Sequence, residues 1–253
     1  MKRLVLDIET APLVAYTWSM YPKYIPMDHL VEHARTLMVG YKWLPQNGEE
    51  AADTTVITES ADGQNGMLRK VHTLINEADA VIHYNGTRFD IPHLYRGFLE
   101  QGLGMPSPIQ EIDLFRTVKQ RFNFPSNRLD YVCQRLGLGR KSSTGGMALW
   151  KNVMAGQAAA IKSMASYCKN DVNLTAKLYD RLLPWIPNHA NFGLYVNADN
   201  PVCPKCGSTH LQRRGYSMTR VMRYARYQCQ DCGSWSRGRT AEGEREHVLA
   251  VAR

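Results

Sequence analysis

The chain has 253 residues, of which 44% are hydrophobic and 21% charged, and its formal net charge is +8. This length supports one full-sized hydrophobic core with room for a small second domain. No run of about 18 apolar residues is present, and the three aliphatic residues between Arg3 and Asp7 are too few for a signal peptide, so we expect a soluble protein without a membrane partner.

The first predicted element is a buried strand near the start of the chain, residues 4–10. Asp7 and Glu9 lie two positions apart in this strand, so their side chains project to the same face. Paired carboxylates repel each other unless a hard divalent cation such as Mg²⁺ or Mn²⁺ lies between them. The strand therefore predicts a metal site, with a pair of surface acids as the alternative.

The following segments predict a sheet with helices. Residues 11–30 are rich in aromatic residues and proline, which predicts a packed connection. Strands are predicted over 36–43, 54–58, 80–84 and 109–114, and helices over 65–77, 127–136 and 157–183, with a further helix opening at Asp90. A predicted turn over 45–50 joins the first two of these strands, which indicates an antiparallel sheet led by the strand of Asp7.

Further polar residues lie at the ends of these elements. Asp90 opens a helix and could be only its N-cap, and Asp113 ends a strand and is equally well explained as a structural acid. Tyr167 and Asp171 are one helical turn apart, so they face the same place. Lys141 lies in a glycine-rich basic loop, where it can contact a phosphate, although a solvated lysine is the alternative.

Six cysteines are present, of which Cys133 and Cys168 lie singly in apolar helical patterns. A buried helical cysteine usually behaves as a small hydrophobic residue. We therefore assign both to the core and give Cys168 no functional role.

Three segments together carry a family resemblance: Asp7-x-Glu9, Asn85-x-x-x-Phe89-Asp90 and Tyr167-x-x-x-Asp171. They resemble the three exonuclease motifs of the DEDD superfamily. The tyrosine four residues before the last aspartate resembles the DEDDy branch, because Ser166 stands where the other branch has histidine. Within that branch, residues 1–185 resemble the proofreading domain of family B DNA polymerases and its stand-alone bacterial and phage relatives, without a polymerase domain.

This resemblance implies an α/β, ribonuclease-H-like fold with a mixed sheet flanked by helices. It implies a 3′→5′ exonuclease that releases nucleoside 5′-monophosphates from single strands or frayed 3′ ends, with DNA favoured over RNA. The implied ligands of two Mg²⁺ or Mn²⁺ ions are Asp7, Glu9, Asp90 and Asp171, and the implied orienter of the attacking water is Tyr167. The implied contacts to the terminal nucleotides are Thr10, Asn85 and Phe89.

The C-terminal region contains two CxxC pairs, Cys203 with Cys206 and Cys229 with Cys232. Four thiolates on two tight turns suit one tetrahedral structural zinc ion, and a stretch of about 40 residues needs such an ion to fold. The region resembles the zinc ribbons of insertion-element transposases and other DNA-handling proteins. We call residues 201–240 the ribbon.

The ribbon is strongly basic, with eight lysines and arginines, one acidic residue, Asp231, and a net charge of +7. Arginines that alternate with aromatic residues can neutralise phosphates and stack on bases. The predicted nucleic-acid contacts are Arg213, Arg214, Tyr216, Arg226, Tyr227 and Trp235. A protein-docking module and a purely structural cap are the alternatives.

These observations predict an exonuclease domain over 1–187, a linker over 188–200, the ribbon and a tail over 241–253. The expected location is the cytoplasm, or the host cytoplasm if the chain is phage-encoded. Two alternatives belong to other classes of function. One is a structure-specific endonuclease on the same fold, and the other is a non-catalytic adaptor that binds nucleic acid through the ribbon.

Overall fold

The structure is a computed structural model that describes residues 1–45, 50, 52–243 and 249–250. The chain forms two compact units, Met1–Tyr179 and Asp180–Arg253. The predicted turn over 45–50 and the predicted tail over 241–253 lie largely outside the described residues. Among the helices of the described ranges, none has the length and apolar character needed to cross a membrane.

The first unit is built on a five-stranded mixed sheet. Its strands, with those of a small hairpin, are β1 (Arg3–Thr10), β2 (Val14–Ala15), β3 (Leu30–Glu32), β4 (Thr36–Leu44), β5 (Thr55–Thr58), β6 (Ala80–His83) and β7 (Gln110–Asp113). The strand order is β5-β4-β1-β6-β7. β1 pairs antiparallel with β4 and parallel with β6, and β4 pairs antiparallel with β5. The antiparallel half led by the strand of Asp7 is therefore as predicted.

In the part of the chain that the structure describes, the helices are α1 (Glu59–Glu77), α2 (Asp90–Glu100), α3 (Leu114–Arg121), α4 (Leu129–Arg135), α5 (Met147–Met154) and α6 (Ala158–Leu182). Short 3-10 helices cover Met27–His29, Leu183–Trp185 and Phe192–Tyr195. Helix α1 begins six residues earlier than predicted, and Gly63, with a φ of 67°, interrupts its first turns. The sequence did not predict α3 and α5. Both helices are short, and α5 begins without a side-chain cap.

The two faces of β1 have different roles. Leu4, Leu6 and Ile8 pack into a buried core with residues of α1 and α2. Asp7 and Glu9 alternate with them and project to the opposite face. Gly40 lies directly opposite Asp7 in β4, and a Cβ atom there would come within 2.7 Å of the Cys168 Sγ atom. The absent side chain therefore lets α6 lie close to the strand that carries the acids.

The prediction that residues 11–30 form a packed connection is wrong. Trp18 is 99% exposed and Tyr21 87% exposed. The segment closes on itself through the short hairpin of β2 and β3, and Ala11 N–H donates to the Arg35 carbonyl at its base. Because the loop is paired only at its base, the aromatic residues at its tip face solvent.

The second unit contains a three-stranded antiparallel sheet, β8 (Leu211–Met218), β9 (Arg223–Cys229) and β10 (Trp235–Ala241), in the order β10-β9-β8. Two tight turns carry the cysteine pairs, in which Gly207 N–H donates to the Cys203 carbonyl and Gly233 N–H to the Cys229 carbonyl. Gly207 has a φ of 77°, and a Cβ atom there would meet the Phe192 ring at 2.6 Å. The turn at this position therefore requires glycine.

Candidate functional site

The first acids of the site lie together on β1. Oxygen atoms of Asp7 and Glu9 and the sulfur of Cys168 all lie within 4.8 Å of one another. Glu9 is 8% exposed, and Cys168 is fully buried on α6, with its sulfur 3.9 Å from the Asp7 carbonyl oxygen. The prediction that the two carboxylates share one face is confirmed. Cys168 is buried as predicted, and it lies beside the acids, next to Tyr167 in the sequence.

Asp90 is held against β1 by a backbone hydrogen bond. The pairing of β1 with β6 covers only Arg3–Val5, so the Ile8 N–H beyond it has no partner in β6. The Asp90 Oδ1 atom accepts this N–H at 3.0 Å. Asp90 is the first residue of α2, and the N-cap is Phe89, so the interpretation of Asp90 as an N-cap is wrong.

Asp171 lies on α6 and makes an ion pair with Lys141. The Lys141 Nζ atom donates to Asp171 Oδ2 at 2.5 Å and to the Tyr167 hydroxyl at 3.2 Å. Asp171 is 1% exposed, and its Oδ1 atom accepts no hydrogen bond from any residue in the described ranges. Tyr167 and Asp171 thus face the same place, as predicted, and Lys141 is not a solvated lysine.

The loop that carries Lys141 is fixed on both sides. The Lys141 backbone N–H donates to Asp130 Oδ1 at 2.7 Å, and the Asn170 side chain donates to the Arg140 carbonyl at 3.1 Å. These bonds attach the loop to α4 and α6. The ammonium group is therefore positioned at the acids rather than extended into solvent.

The carboxylates of the site have raised pKa values. Burial raises the pKa of Asp7 well above its usual range, and the nearby Asp90, Asp171 and Glu9 raise it further. Burial also raises the pKa of Glu9 to about 7, with Asp171 adding to the shift. Burial raises the pKa of Asp90 to about 6, although His83 opposes the shift. Negative charge is thus concentrated where water is scarce, and a divalent cation with oxygen ligands would relieve it.

The donor set suits Mg²⁺ or Mn²⁺. It consists of carboxylate oxygens from three separate segments, and the buried Asp171 Oδ1 atom has a free acceptor position. Burial raises the pKa of Asp171 too, while Lys141 opposes the shift. Asp7, Glu9, Asp90 and Asp171 are therefore the residues that would bind such ions.

These pKa values predict how the stability of the Mg²⁺-free protein depends on pH. Glu9 has a pKa of about 7 in the folded chain and an ordinary value of 4.5. Between these values the folded chain binds more protons than the unfolded chain, so the free energy of unfolding falls as pH rises towards 7. We expect a lower unfolding temperature at about pH 8 than at about pH 5.5 for protein dialysed free of Mg²⁺.

The matched control for this pH dependence is Glu9→Gln, which cannot titrate. The difference in unfolding temperature between the wild type and this variant should grow as pH rises. Added Mg²⁺ should reverse the fall in the unfolding temperature of the wild type at high pH and should not do so for the variant. A difference that is independent of pH would show that Glu9 is not protonated near neutral pH in the folded chain.

Two of the predicted nucleotide contacts are chain neighbours of the acids, since Thr10 follows Glu9 and Phe89 precedes Asp90. The Thr10 carbonyl accepts a hydrogen bond from Trp150 Nε1 at 3.1 Å. Phe89 is 43% exposed, and its ring centroid lies 4.6 Å from that of His93. Asn85 adopts a φ of 67°, and its backbone N–H donates to Asp113 Oδ1 at 2.9 Å. Phe89 therefore offers an open ring face.

Asp113 has a structural role in the same region. Its Oδ1 atom also accepts the Phe115 N–H at 3.0 Å, which caps α3. The interpretation of Asp113 as a structural acid at the strand end fits these contacts. Its second bond fixes the backbone of Asn85.

A cleft in the first unit has Lys141, the hydrogen-bond partner of Asp171, in its lining. Its polar lining includes Asn85, Lys141, Asn127 and Arg128, and the Tyr84 and Phe115 rings form an apolar wall. Arg128 and His83, which lies buried beside Asp90, carried no signal in the sequence. A cleft with amides, cations and aromatic rings next to buried carboxylates can accommodate a nucleotide.

The four ribbon cysteines form a second candidate metal site. All four sulfur atoms lie within 4.8 Å of one another, with Cys203 and Cys232 at 3.6 Å and Cys206 and Cys229 at 3.6 Å. A tetrahedron with Zn–S bonds of about 2.3 Å has edges of about 3.8 Å. The arrangement therefore fits one zinc ion and is consistent with a zinc ribbon.

The predicted contacts of the ribbon do not share one face of its sheet. Arg213 pairs with Tyr227, and Tyr216 pairs with Ala225, which places all of these on one face. Arg226 and Trp235 lie on the other face, where Trp235 pairs with Gln228. Arg214 belongs to the same face, because its side chain donates to that of Gln228. The six residues thus form two groups of three.

Comparison with known proteins identifies the family. Residues 31–183 match the sequence profile of the RNase H superfamily, a range of more than half of the chain that includes Asp90, Tyr167 and Asp171. The chain belongs to the RNase H superfamily. The predicted ribonuclease-H-like fold is thus confirmed. The match begins after β1, so Asp7 and Glu9 lie outside it.

This RNase H superfamily chain is similar in structure to a family B DNA polymerase from the hyperthermophilic archaeon Pyrobaculum calidifontis. The TM-score is 0.54 at 16% sequence identity, and the similarity covers 72% of this chain and 24% of the polymerase chain. The likeness therefore shows a shared fold with about a quarter of the polymerase. Comparison with curated proteins finds none that matches.

Proposed function

We propose that the chain is a 3′→5′ exonuclease that depends on two divalent metal ions and releases nucleoside 5′-monophosphates from single-stranded nucleic acid, with DNA favoured over RNA. The observation that carries the proposal is the convergence of acids from β1, α2 and α6 on one buried site. Membership in the RNase H superfamily supports nuclease activity. The three motifs that resemble the DEDDy branch support the narrower assignment.

The proposed roles of the acids are those that the resemblance to the DEDD superfamily implies. When bound, two Mg²⁺ or Mn²⁺ ions would supply Lewis acidity to the attacking water and to the leaving 3′ oxygen. Asp7, at the centre of the electrostatic cluster, would contact both ions. Glu9 and Asp171 would bind the ion on the side of the attacking water, and Asp90 would bind the ion on the side of the leaving group.

Tyr167 is proposed to orient the attacking water. Burial raises the pKa of its hydroxyl, and the Asp171 carboxylate raises it further, so the group is protonated at neutral pH. A protonated phenol can donate and accept hydrogen bonds but cannot act as a general base. Its place one turn from Asp171 brings the hydroxyl to the site where it would orient the attacking water.

Lys141 is proposed as a positioning residue and phosphate contact. Burial lowers the pKa of its ammonium group, but the Asp171 carboxylate and the Tyr167 hydroxyl outweigh this effect and raise it. The group thus stays charged and fixes both side chains. When a substrate enters, the same ammonium group lies beside the position of its phosphate.

The single-strand preference is supported by the exposed ring of Phe89 and by the cleft at Asn85. An open aromatic face can stack on an unpaired base, whereas the bases of a duplex are already stacked. The ribbon is proposed to bind one zinc ion and to anchor the same nucleic acid. Its charge supports this role over docking to a protein.

The test of the proposed function uses matched DNA and RNA strands that carry a 5′ label, together with a closed single-stranded DNA circle, in Mg²⁺ and then in Mn²⁺. We expect stepwise shortening of the linear strands from the 3′ end, faster for DNA, and an intact circle. Cleavage of the circle would support the endonuclease alternative. Binding without any cleavage would support the adaptor.

A further inference from the structure

One face of the ribbon sheet combines arginines and aromatic rings. Cross-strand partners in an antiparallel sheet lie on the same face. Gln228 pairs with Trp235, Arg226 with Arg237, and Ser217 with Tyr224, so all of these lie on one face. We call the arginine face the set Arg214, Tyr224, Arg226, Gln228, Trp235 and Arg237.

Contacts within the arginine face organise its charges. The Arg226 guanidinium lies 5.0 Å from the centre of the Trp235 ring, and that of Arg237 lies 4.2 Å from the centre of the Tyr224 ring. Arg214 Nη1 donates to the Gln228 side chain at 2.8 Å. Within the described ranges, none of the three arginines has a carboxylate at salt-bridge distance. Among the residues that the structure describes, no carboxylate neutralises the three positive charges of this face.

The opposite face differs in both charge and exposure. Arg213 forms an ion pair with Glu242 at 2.5 Å, and the guanidinium groups of Arg213 and Arg223 both lie over the Tyr216 ring. Ala225 and Cys229 are buried on this face. Arg213 is thus neutralised, and part of the face is covered.

We propose that the arginine face is the surface through which the ribbon binds single-stranded nucleic acid. This inference rests on the proposed role of the ribbon as an anchor and names the surface that performs it. Arg214, Arg226 and Arg237 contact phosphates. Trp235 and Tyr224 stack on unpaired bases once their arginines have turned from the ring to a phosphate.

The geometry favours a single strand over a duplex and over a protein. Two rings on one open sheet face can each receive a base, which a duplex cannot offer without unstacking. A protein-docking surface would require an acidic partner, and then the rings beneath the arginines would have no specific role. The pairing of Arg226 with the Trp235 ring and of Arg237 with the Tyr224 ring fits a chain of alternating phosphates and bases.

The test compares two double variants of the full chain, each of which removes two arginines that lie over aromatic rings. Arg226→Gln with Arg237→Gln changes the arginine face, and Arg213→Gln with Arg223→Gln changes the opposite face. Both are made with Asp7→Asn, without added Mg²⁺, so that the strand is not cut. The probe is a fluorescein-labelled oligothymidylate, and its anisotropy gives the affinity over a range of salt concentrations.

We expect the change on the arginine face to weaken binding about tenfold or more at low salt and to reduce the slope of log K against log salt by about 1.4, because each phosphate contact to a single strand contributes about 0.7. The change on the opposite face should have less than half of both effects. Equal effects, or no effect of either change, would overturn the proposal.

A further pair of variants tests stacking. Trp235→Ala should weaken binding on the order of tenfold, and Trp235→Phe should restore most of the affinity, because any aromatic ring can stack on a base. If both bind like the wild type, stacking on Trp235 is refuted. Zinc content and thermal unfolding, measured for every variant, show whether the ribbon is still folded.

Failure of this proposal is distinguishable from failure of the proposed function, since affinity and cleavage are measured separately. If the wild type cleaves stepwise and the variants do not differ in affinity, the role of the arginine face in binding is refuted and the proposed exonuclease activity is retained. If only the change on the arginine face weakens binding and the wild type cleaves no substrate, the role of this face in binding is supported and the proposed exonuclease activity is refuted.

Discussion

The replacement of Asp7 by asparagine is expected to reduce nucleotide release by at least about a thousandfold, because the carboxylate proposed to contact both ions supplies several kcal/mol of transition-state stabilisation through them. The same change is expected to raise the unfolding temperature of the Mg²⁺-free protein. Burial, followed by the charges of Asp90, Asp171 and Glu9, raises the pKa of Asp7. The ionised carboxylate therefore destabilises the folded chain, and the neutral amide of similar shape does not.

The matched control is Asp28→Asn, the same chemical change at an exposed position in the 3-10 helix Met27–His29. It should alter neither nucleotide release nor unfolding temperature. Release is measured from a labelled strand, and unfolding by calorimetry. An Asp7→Asn variant that loses both activity and stability would indicate a structural role, and one that retains activity would remove Asp7 from the proposed mechanism.

The second large effect is expected for Cys229→Ser, which should abolish zinc binding and unfold the ribbon. Zinc binding contributes about 10 to 16 kcal/mol of apparent free energy in small zinc domains, far more than a sheet of this size obtains from packing. The first unit has its own core and should still unfold cooperatively. We expect the affinity for a single strand to fall while slow cleavage at saturating substrate persists.

The control for this variant is Cys133→Ser, the same change at a cysteine that is buried in the first unit. It should destabilise that unit by about 1 to 3 kcal/mol, because it buries a hydroxyl group, and it should leave one zinc ion per chain. Elemental analysis and hydrogen exchange of β8, β9 and β10 measure the two effects. Retention of zinc by Cys229→Ser would contradict the four-cysteine site.

The sequence was sufficient to predict the antiparallel part of the sheet and which acids share a face within one element. A run of three apolar residues, 4–6, indicates β1, and the spacing of Asp7 and Glu9 alone determines that their side chains share a face. Tyr167 and Asp171 are related in the same way by the helical repeat. These relations are local, so a pattern of a few residues contains them. The roles of these residues in catalysis stay predictions.

Other features depend on contacts between distant residues and could not be predicted. The bond between Lys141 and Asp171 joins residues 30 positions apart, and it depends on the anchoring of the loop by Asp130. The aromatic residues over 11–30 were predicted to pack, because their composition does not show that the hairpin holds them away from the core. Helices α3 and α5 are only eight residues long each, so neither contains enough turns for a helical repeat to be distinctive in the sequence.

The ribbon shows how one irregularity changes a pattern. Strict alternation would place Arg213 and Tyr216 on opposite faces, since they are three residues apart. The pairing of β8 shifts between these two residues, where Gly215 has a φ of 70°, and both then lie on the same face. Because the sequence does not reveal which strand contains the bulge, the six predicted contacts could not be divided between faces.

Gly40 makes the geometry of the acids depend on a residue that has no side chain. Any larger residue would press on Cys168 and on Val172, whose Cγ2 atom lies 2.9 Å from the Cβ position. Helix α6 would then have to move away from β1 and would take Tyr167 and Asp171 with it. A substitution at this position would thus resemble the loss of a proposed catalytic group in an activity screen, although all of the proposed catalytic groups would remain.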